Sequence, residues 1–297
     1  MHKYMPLVKI LNGIEKDDQG TILEIDKEEL VTHKSTVIGI TGPPGAGKST
    51  LLADMLKNYL AHGEKIAVLL IDPSDSITGG AFLGDRIRFN NLPLHPNLFI
   101  RSVASRGFLG GVSLYTPLYI KAFIKLGFDK IFIETVGSGQ NEVDIYTIAD
   151  TSLYITSPDI GDSIQVLKGG SMNNFDIIVI NKSDIHGSNR TEALLKRNTN
   201  LLGNRGTLRI VKHQKGRDSS LAEIFEHIEA TLNSTDKVSK RKKLAKYYQI
   251  NILKEQIERF LQKELQPVES DGSNTIIDTI NLIKEKFKGG DIFAKGD

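Results

Sequence analysis

The run Gly42-Pro43-Pro44-Gly45-Ala46-Gly47-Lys48-Ser49 has the spacing G-x-x-x-x-G-K-S. It stands between an apolar, β-branched run (37–40) and a helical pattern that begins at Lys48. In that context the pattern is a phosphate-binding loop. Its glycines let successive backbone N–H groups curl around phosphate oxygens, and the helix N-terminus adds the positive end of a dipole. Lys48 is placed to reach the β- and γ-phosphates, and the Ser49 hydroxyl to ligate Mg²⁺. Thr50, in the same first turn, belongs with the nucleotide-binding set. The rival reading is a glycine-rich turn with a chance lysine, and the strand and helix patterns on either side argue against it.

A second constellation, Asn181-Lys182-Ser183-Asp184, directly follows the run 176–180. N-K-x-D at a strand end is a guanine-reading pattern, because a carboxylate at Asp184 can accept from both N1–H and the N2 amino group. Adenine offers neither donor, and the carboxylate left unpaired would cost about 1–3 kcal/mol. Alone the tetrapeptide is a weak signal; far behind a phosphate loop it becomes strong and favours GTP and GDP over adenine nucleotides. Asp72 and Glu134 each close an apolar run, 68–71 and 131–133. Ligands sit beyond the carboxyl ends of parallel strands, so both are candidates to face the metal, directly or through water. A capping carboxylate is the alternative for each.

These residues need a scaffold, and the chain between 36 and 232 predicts one. Apolar runs at 37–40, 66–71, 131–133, 153–155, 177–180 and 208–211, the last broken by Arg209, are otherwise continuous instead of alternating, as expected of strands covered on both faces of a parallel sheet. Helical patterns lie between them, at 48–61, 113–125, 162–172, 190–202 and 219–232. Such alternation predicts an α/β domain with a doubly wound, mostly parallel sheet. The stretch 72–109 has no clear periodicity and reads as a functional loop. Residues 1–35 are polar and weakly periodic, with turn signals at Asn12-Gly13 and Gln19-Gly20, and read as a short appendage. From 233 to 297 the composition shifts again. The basic run Lys240-Arg241-Lys242-Lys243 reads as a solvated face. Helical stripes follow at Ile250, Leu253, Ile257, Phe260 and Leu261, and at Ile276, Ile277, Ile280, Ile283 and Phe287. Pro267 and Asp271-Gly272 separate them into a hairpin, whose faces must bury against the sheet domain or, the favoured reading, a second subunit.

Composition removes other classes. The chain has 297 residues and no cysteine, which excludes disulfide frameworks, thiolate metal sites and thiol nucleophiles. Its 38 basic side chains nearly balance 36 acidic ones, and a net charge of +2 leaves no electrostatic footprint for nucleic acid or an acidic membrane. The first residues do not form a signal peptide, and no apolar stretch is long enough to span a bilayer. A cytoplasmic protein is expected.

Taken together, Asp72-Pro73-Ser74, Thr78-Gly79-Gly80, Leu83-Gly84-Asp85, Leu109-Gly110-Gly111-Val112, Glu134-Thr135-Val136-Gly137, Gly139-Gln140, Gly161-Asp162 and Asn181-Lys182-Ser183-Asp184 closely resemble the MeaB/ArgK family of GTPases associated with methylmalonyl-CoA mutase. The resemblance covers the chain from about residue 37 onward. It implies a GTP-hydrolysing chaperone that protects a coenzyme-B12-dependent acyl-CoA mutase and gates its loading with adenosylcobalamin. It also implies a homodimer made through the C-terminal helical arm. Carried over residue by residue, Lys48 and Ser49 hold phosphate and Mg²⁺, and Asp72, Asp85 and Glu134 form the carboxylate set around the metal and attacking water. Lys48, Asp85 and Glu134 are then the catalytic candidates, and Asn181, Lys182 and Asp184 read guanine. Gln165 and Lys168 align with a mobile loop coupling nucleotide state to the mutase; solvated helix positions are the alternative. The base-capping loop departs from the family pattern: it reads Lys212-His213, where a backbone N–H could still meet guanine O6. No residue is an obvious arginine finger; Arg86, Arg88 and Arg106 in the long loop are candidates, with solvated or structural positions the favoured alternative for each. Two rival classes share this architecture. A metallochaperone GTPase for nickel enzymes would need Cys or His ligands, and a transport-associated ATPase or kinase would not carry Asn181-Lys182-Ser183-Asp184.

Overall fold

The β-branched run expected ahead of the phosphate loop forms β1, Thr36–Thr41, and all six of its residues are buried. The structure is a computed structural model that describes residues 2–72, 95–104, 115–135, 145–160, 174–201, 208–234 and 236–265. After β1 come α3 (Lys48–Ala61), β2 (Ile66–Asp72), β3 (Leu98–Ala104), α4 (Thr116–Lys125), β4 (Lys130–Thr135), α5 (Ile145–Ile148) and β5 (Thr151–Thr156). Then follow β6 (Ile177–Ile180), α6 (Ser188–Leu201), β7 (Arg209–Lys212), α7 (Asp218–Ser234) and α8 (Lys237–Leu265). Two helices, α1 (Met5–Glu15) and α2 (Gln19–Asp26), precede β1. The helix expected at 162–172 lies outside the described residues.

The strands form one sheet in the order β3-β2-β4-β1-β5-β6-β7, and every pairing is parallel. Their side chains alternate between faces. Ile38, Ile40, Val68, Leu70, Phe132, Leu153 and Val179 share one core with Leu51, Leu52, Met55 and Leu56 of α3 and Ile224 and Ile228 of α7. The alternate set, including Val37, Ala67, Leu69, Ile131 and Ile133, is equally buried, which explains why these strands read as continuous apolar runs. Because β4 and β5 flank β1 on opposite sides, the carboxyl end of β1 is the switch point where a ligand crevice opens.

Two features differ from expectation. β3 lies inside the stretch 72–109 that was expected to be a loop. Among the described residues it is an edge strand paired only with β2, and Arg101 and Ser102 interrupt its apolar run. Arg101 is satisfied by Glu15 of α1, at 2.7 Å, and by Asn12, at 2.8 Å. The segment 1–35, expected as a polar appendage, is largely helical. Leu7, Leu11 and Ile14 form a buried stripe on α1, and Ile25 is buried on α2. Each such side chain contributes about 1.5–3 kcal/mol on burial. Pro6 falls at the helix start, where a missing N–H costs nothing, and the Asn12-Gly13 turn signal is overridden by this packing. Both helices lie against α4, with ion pairs Lys121–Asp26 at 2.6 Å and Lys125–Glu24 at 2.9 Å.

The chain divides into two compact units, 1–245 and 246–297. The first turns of α8 therefore belong with the sheet, and the basic run there is not simply a solvated face. Arg241 is buried. Its guanidinium donates to both carboxylate oxygens of Asp150, at 2.8 and 2.7 Å, and to the carbonyls of His33, at 2.7 Å, and Ser35, at 2.9 Å. Asp150 also accepts from the N–H of Val37 at 2.9 Å, at the start of β1. Lys240 reaches the Asp150 carbonyl at 3.2 Å. In the second unit, Ile250, Leu253 and Ile257 are exposed; Phe260, Leu261 and the second expected stripe lie among residues whose side chains are not described.

Candidate nucleotide-binding site

The phosphate loop bridges β1 and α3 at the switch point. Gly42 leaves β1 with φ +139°, and a Cβ there would stand 1.9 Å from the carbonyl oxygen of Ile155 on β5. Gly47 is the N-cap of α3 with φ +85°, and its Cβ would lie 2.3 Å from the side-chain nitrogen of Asn181. Both positions thus need glycine for conformation and for space. Lys48 is buried, and its ammonium donates to the carbonyls of Gly42, at 2.7 Å, and Pro43, at 3.0 Å. The ammonium is held within the loop. Pro44, Gly45 and Thr50 are exposed and Ala46 is buried.

Glu134 is buried near the carboxyl end of β4, beside β1, and accepts from the Ser49 hydroxyl at 2.8 Å. One residue on, the Thr135 hydroxyl donates to that of Thr41 at 2.8 Å, also buried, tying the strand that ends in Glu134 to the root of the phosphate loop. The structure thus brings two of the predicted metal candidates together, Ser49 and Glu134. β2 ends at Asp72. The Asp72 side chain, Asp85, Gln165, Lys168 and the three candidate finger arginines lie outside the described residues.

The tetrapeptide expected to read the base follows β6, two strands from β1. Asn181 is buried, and its side-chain amide donates to the carbonyl of Ala46 at 2.8 Å. Its backbone N–H donates to Thr156 at 2.8 Å, and that of Ser183 to His213 at 2.9 Å. These bonds join the loops after β1, β5, β6 and β7 into one rim. Asp184 is exposed on that rim, as a residue that reads a ligand edge must be. Lys182 has φ +53°, and its ammonium pairs with Asp159 at 3.1 Å. Asp159 was not among the residues singled out from sequence; only the fold brings the loop after β5 beside the loop after β6. Lys212, expected near the base, turns its side chain to α6, where it meets Asn189 at 3.1 Å and Glu192 at 2.9 Å. His213 follows it, buried, with Nδ1 at 2.9 Å from the Ser220 hydroxyl and its N–H given to Ile180 at 2.9 Å. Burial holds this imidazole below its usual range, opposed by Asp54.

Among the described residues no helix is long and apolar enough to cross a membrane, and no group of three or more His, Asp or Glu side chains forms a metal-binding cluster. An open groove of about 760 Å³ lies at the opposite end of the sheet, lined by Thr36, His33, His62, Glu64 and Lys130. It is remote from the loops above.

Fold and site together define a P-loop GTPase domain. The crystal structure of the LAO/AO transport system kinase is similar over 95% of this chain and 97% of that one, with a TM-score of 0.58 and 17% identity. The hydrogenase maturation factor HypB of Archaeoglobus fulgidus is similar over 76% of this chain and 99% of that one, with a TM-score of 0.51 and 17% identity. Those likenesses show the fold. The chain belongs to the family described as Methylmalonyl Co-A mutase-associated GTPase MeaB, whose model matches residues 16–268. Three curated relatives illustrate its range. A provisionally named GTPase of Pyrococcus horikoshii is 45% identical over 185 residues, 62% of this chain and 58% of that protein. GTPase ArgK of Escherichia coli is 40% identical over 160 residues, 54% and 48% of the two chains. The mouse Methylmalonic aciduria type A homolog, mitochondrial, is 40% identical over 147 residues, 50% and 35%. The chain thus spans roughly half the length of the curated relatives it matches.

Proposed function

We propose that this chain binds GTP and GDP, hydrolyses GTP, and serves as a chaperone for a coenzyme-B12-dependent acyl-CoA mutase, gating its loading with adenosylcobalamin. The observation that carries the nucleotide part is the bond from Asn181 to Ala46. It sets the guanine-reading loop against the phosphate loop, as one guanine nucleotide contacting both requires. The client is supported by membership of a family described by its association with methylmalonyl-CoA mutase.

In this reading the N–H groups of 42–47 and the Lys48 ammonium bind and orient the phosphates. Asp184 selects guanine by accepting from its two donors. Ser49 and Glu134 present hard oxygen donors 2.8 Å apart at the α3 N-terminus, a set that fits Mg²⁺. They would hold that ion with Asp72 and Asp85, and when bound it supplies positive charge against the β- and γ-phosphates. Glu134, buried on a sheet strand, is also the fixed carboxylate from which the attacking water takes its orientation. Gln165 and Lys168 couple nucleotide state to the client. The stripe Ile250, Leu253, Ile257 and Phe260, with that at 276–287, forms a homodimer interface, and the protein works in the cytoplasm.

The deciding experiment is GTP turnover with and without a methylmalonyl-CoA mutase from the same genome. An unaided site lacking an arginine finger should turn over slowly, since such a residue is worth about 10³-fold or more. The mutase should raise the rate, and Gln165→Ala with Lys168→Ala should remove that stimulation. No stimulation by any co-encoded acyl-CoA mutase would overturn the client assignment.

A further inference from the structure

The ion pair between Lys182 and Asp159 has no place in the account of phosphate and base recognition above. Four observations give it one. First, Lys182 sits at φ +53°, a left-handed conformation that an L-residue with a long side chain rarely adopts. Such a residue persists where its surroundings over-determine it. Here the neighbours are stitched on both sides, Asn181 to Ala46 and Thr156, Ser183 to His213. Second, the far end of the side chain is fixed too, by Asp159 Oδ2 at 3.1 Å. Third, Asp159 is itself oriented, because its other oxygen accepts from the Ser157 hydroxyl at 2.5 Å. That bond and then the Lys182 ammonium hold the carboxyl below its usual range, so it is a carboxylate at neutral pH. Fourth, the loop 157–160 leaves β5 at the carboxyl end of the sheet, between the strands that carry the phosphate loop and the base loop.

We infer that Asp159 is a positioning residue for guanine-nucleotide binding: it holds the Lys182 side chain in place on the base-reading rim before the nucleotide arrives. A free lysine side chain carries about 2 kcal/mol of rotamer entropy, part of which is lost whenever the stem orders against a ligand. Anchoring the ammonium removes part of that loss in advance, and nucleotide dissociation slows accordingly. The inference rests on the reading of 181–184 as the base site and adds to it a residue from a different strand.

The test uses the full-length chain and a fluorescent GDP analogue, whose dissociation is followed after mixing with excess GDP. Asp159→Asn keeps the shape and removes the charge. It should speed dissociation by about two- to fivefold, the range of a part-exposed ion pair. Asp159→Glu should restore the rate at least in part. In a Lys182→Met background Asp159→Asn should change nothing further, since its effect is routed through the ammonium. A merely structural surface pair would instead shift the melting temperature of the nucleotide-free protein and leave GDP dissociation unchanged. An unchanged rate in Asp159→Asn, or additive effects in the cycle, overturns the inference. Slower dissociation overturns it as well, because the pair would then compete with the nucleotide. If the parent protein binds no GDP, it is the base-site reading that has failed.

Discussion

Asn181 reaches across 135 residues of sequence to the carbonyl of Ala46, at 2.8 Å, and stands where a side chain at Gly47 would otherwise project. One side chain therefore ties the loop after β6, proposed to read the base, to the loop after β1, proposed to hold the phosphates. Asn181→Ala leaves the Ala46 carbonyl, which is buried, without its donor, at a cost of about 1–3 kcal/mol. GDP affinity should fall by about tenfold or more in a titration, with a modest drop in melting temperature. Gly47→Ala forces a Cβ to within 2.3 Å of the same amide at φ +85° and should lose nucleotide binding altogether.

Asp184 is predicted to decide the base. With Mg²⁺ present, GTP should bind well and ATP poorly. Asp184→Asn should move preference toward xanthine nucleotides, because the donor and acceptor pattern reverses. Equal affinities of the parent for ATP and GTP would sink the assignment.

Hydrolysis should separate from binding at Glu134. Glu134→Ala is expected to slow GTP turnover strongly while leaving GDP affinity within a few-fold, and Lys48→Ala to abolish turnover. Parental turnover by Glu134→Ala, measured as phosphate release, would show that the buried carboxylate beside Ser49 is only structural.

Acid sensitivity should originate at His33. Burial first, then the neighbouring Arg241, push this imidazole down to about 4, although Asp150 and Glu29 pull it upward. A base whose folded pKa is depressed favours the unfolded chain once protons bind there. The stability is present above about pH 6.5 and is lost as pH falls toward 4. One unit corresponds to about 1.4 kcal/mol, and with solvent screening of a half-exposed ring the loss should be about 1–2 kcal/mol. His33→Gln should flatten the pH dependence of urea midpoints between pH 6.5 and 4.5, leaving a smaller slope from His213, which is depressed in the same direction. An unchanged slope would reject His33 as its source.

The dimer and the sheet unit can be tested apart if the cut is made in the right place. Truncation after Asn233 removes Arg241 and deprives the Asp150 carboxylate and the carbonyls of His33 and Ser35 of their donor. Losing one member of such a pair costs about 3–5 kcal/mol. Truncation after Ala245 keeps the pair and should give a monomer that still binds GDP. In the full chain, Ile250→Glu with Leu253→Glu and Ile257→Glu should also give monomers by light scattering. A parent protein that already runs as a monomer would rule the interface out.

The readable parts of this molecule were those whose chemistry is local. The phosphate loop occupies eight consecutive residues between a strand and a helix, and Asn181-Lys182-Ser183-Asp184 directly follows its strand. Strands covered on both faces announced themselves as continuous apolar runs. What escaped was decided by partners distant in sequence. β3 carries Arg101, which looks like a loop residue until Glu15 of α1 is placed beside it. The stripe Leu7, Leu11, Ile14 was obscured by Pro6 and Asn12-Gly13, signals that tertiary packing overrides. Arg241 was hidden in a basic run whose other members are exposed or half-exposed. Asp159 gains its meaning from the parallel pairing of β5 with β6.

Arg241 has a bearing on how the protein is made. All seven described strands precede it in the chain, so a ribosome synthesises them before the guanidinium that neutralises Asp150. Chains fold from the N-terminus as they emerge, and until α8 begins, the start of β1 and the loop into β5 meet around an uncompensated carboxylate. The nascent domain therefore stays unfinished until α8 starts. Closure then waits on a residue at the far end of the sheet from the candidate nucleotide site, and a stalled or prematurely terminated product that ends before 241 should be a substrate for quality-control proteases.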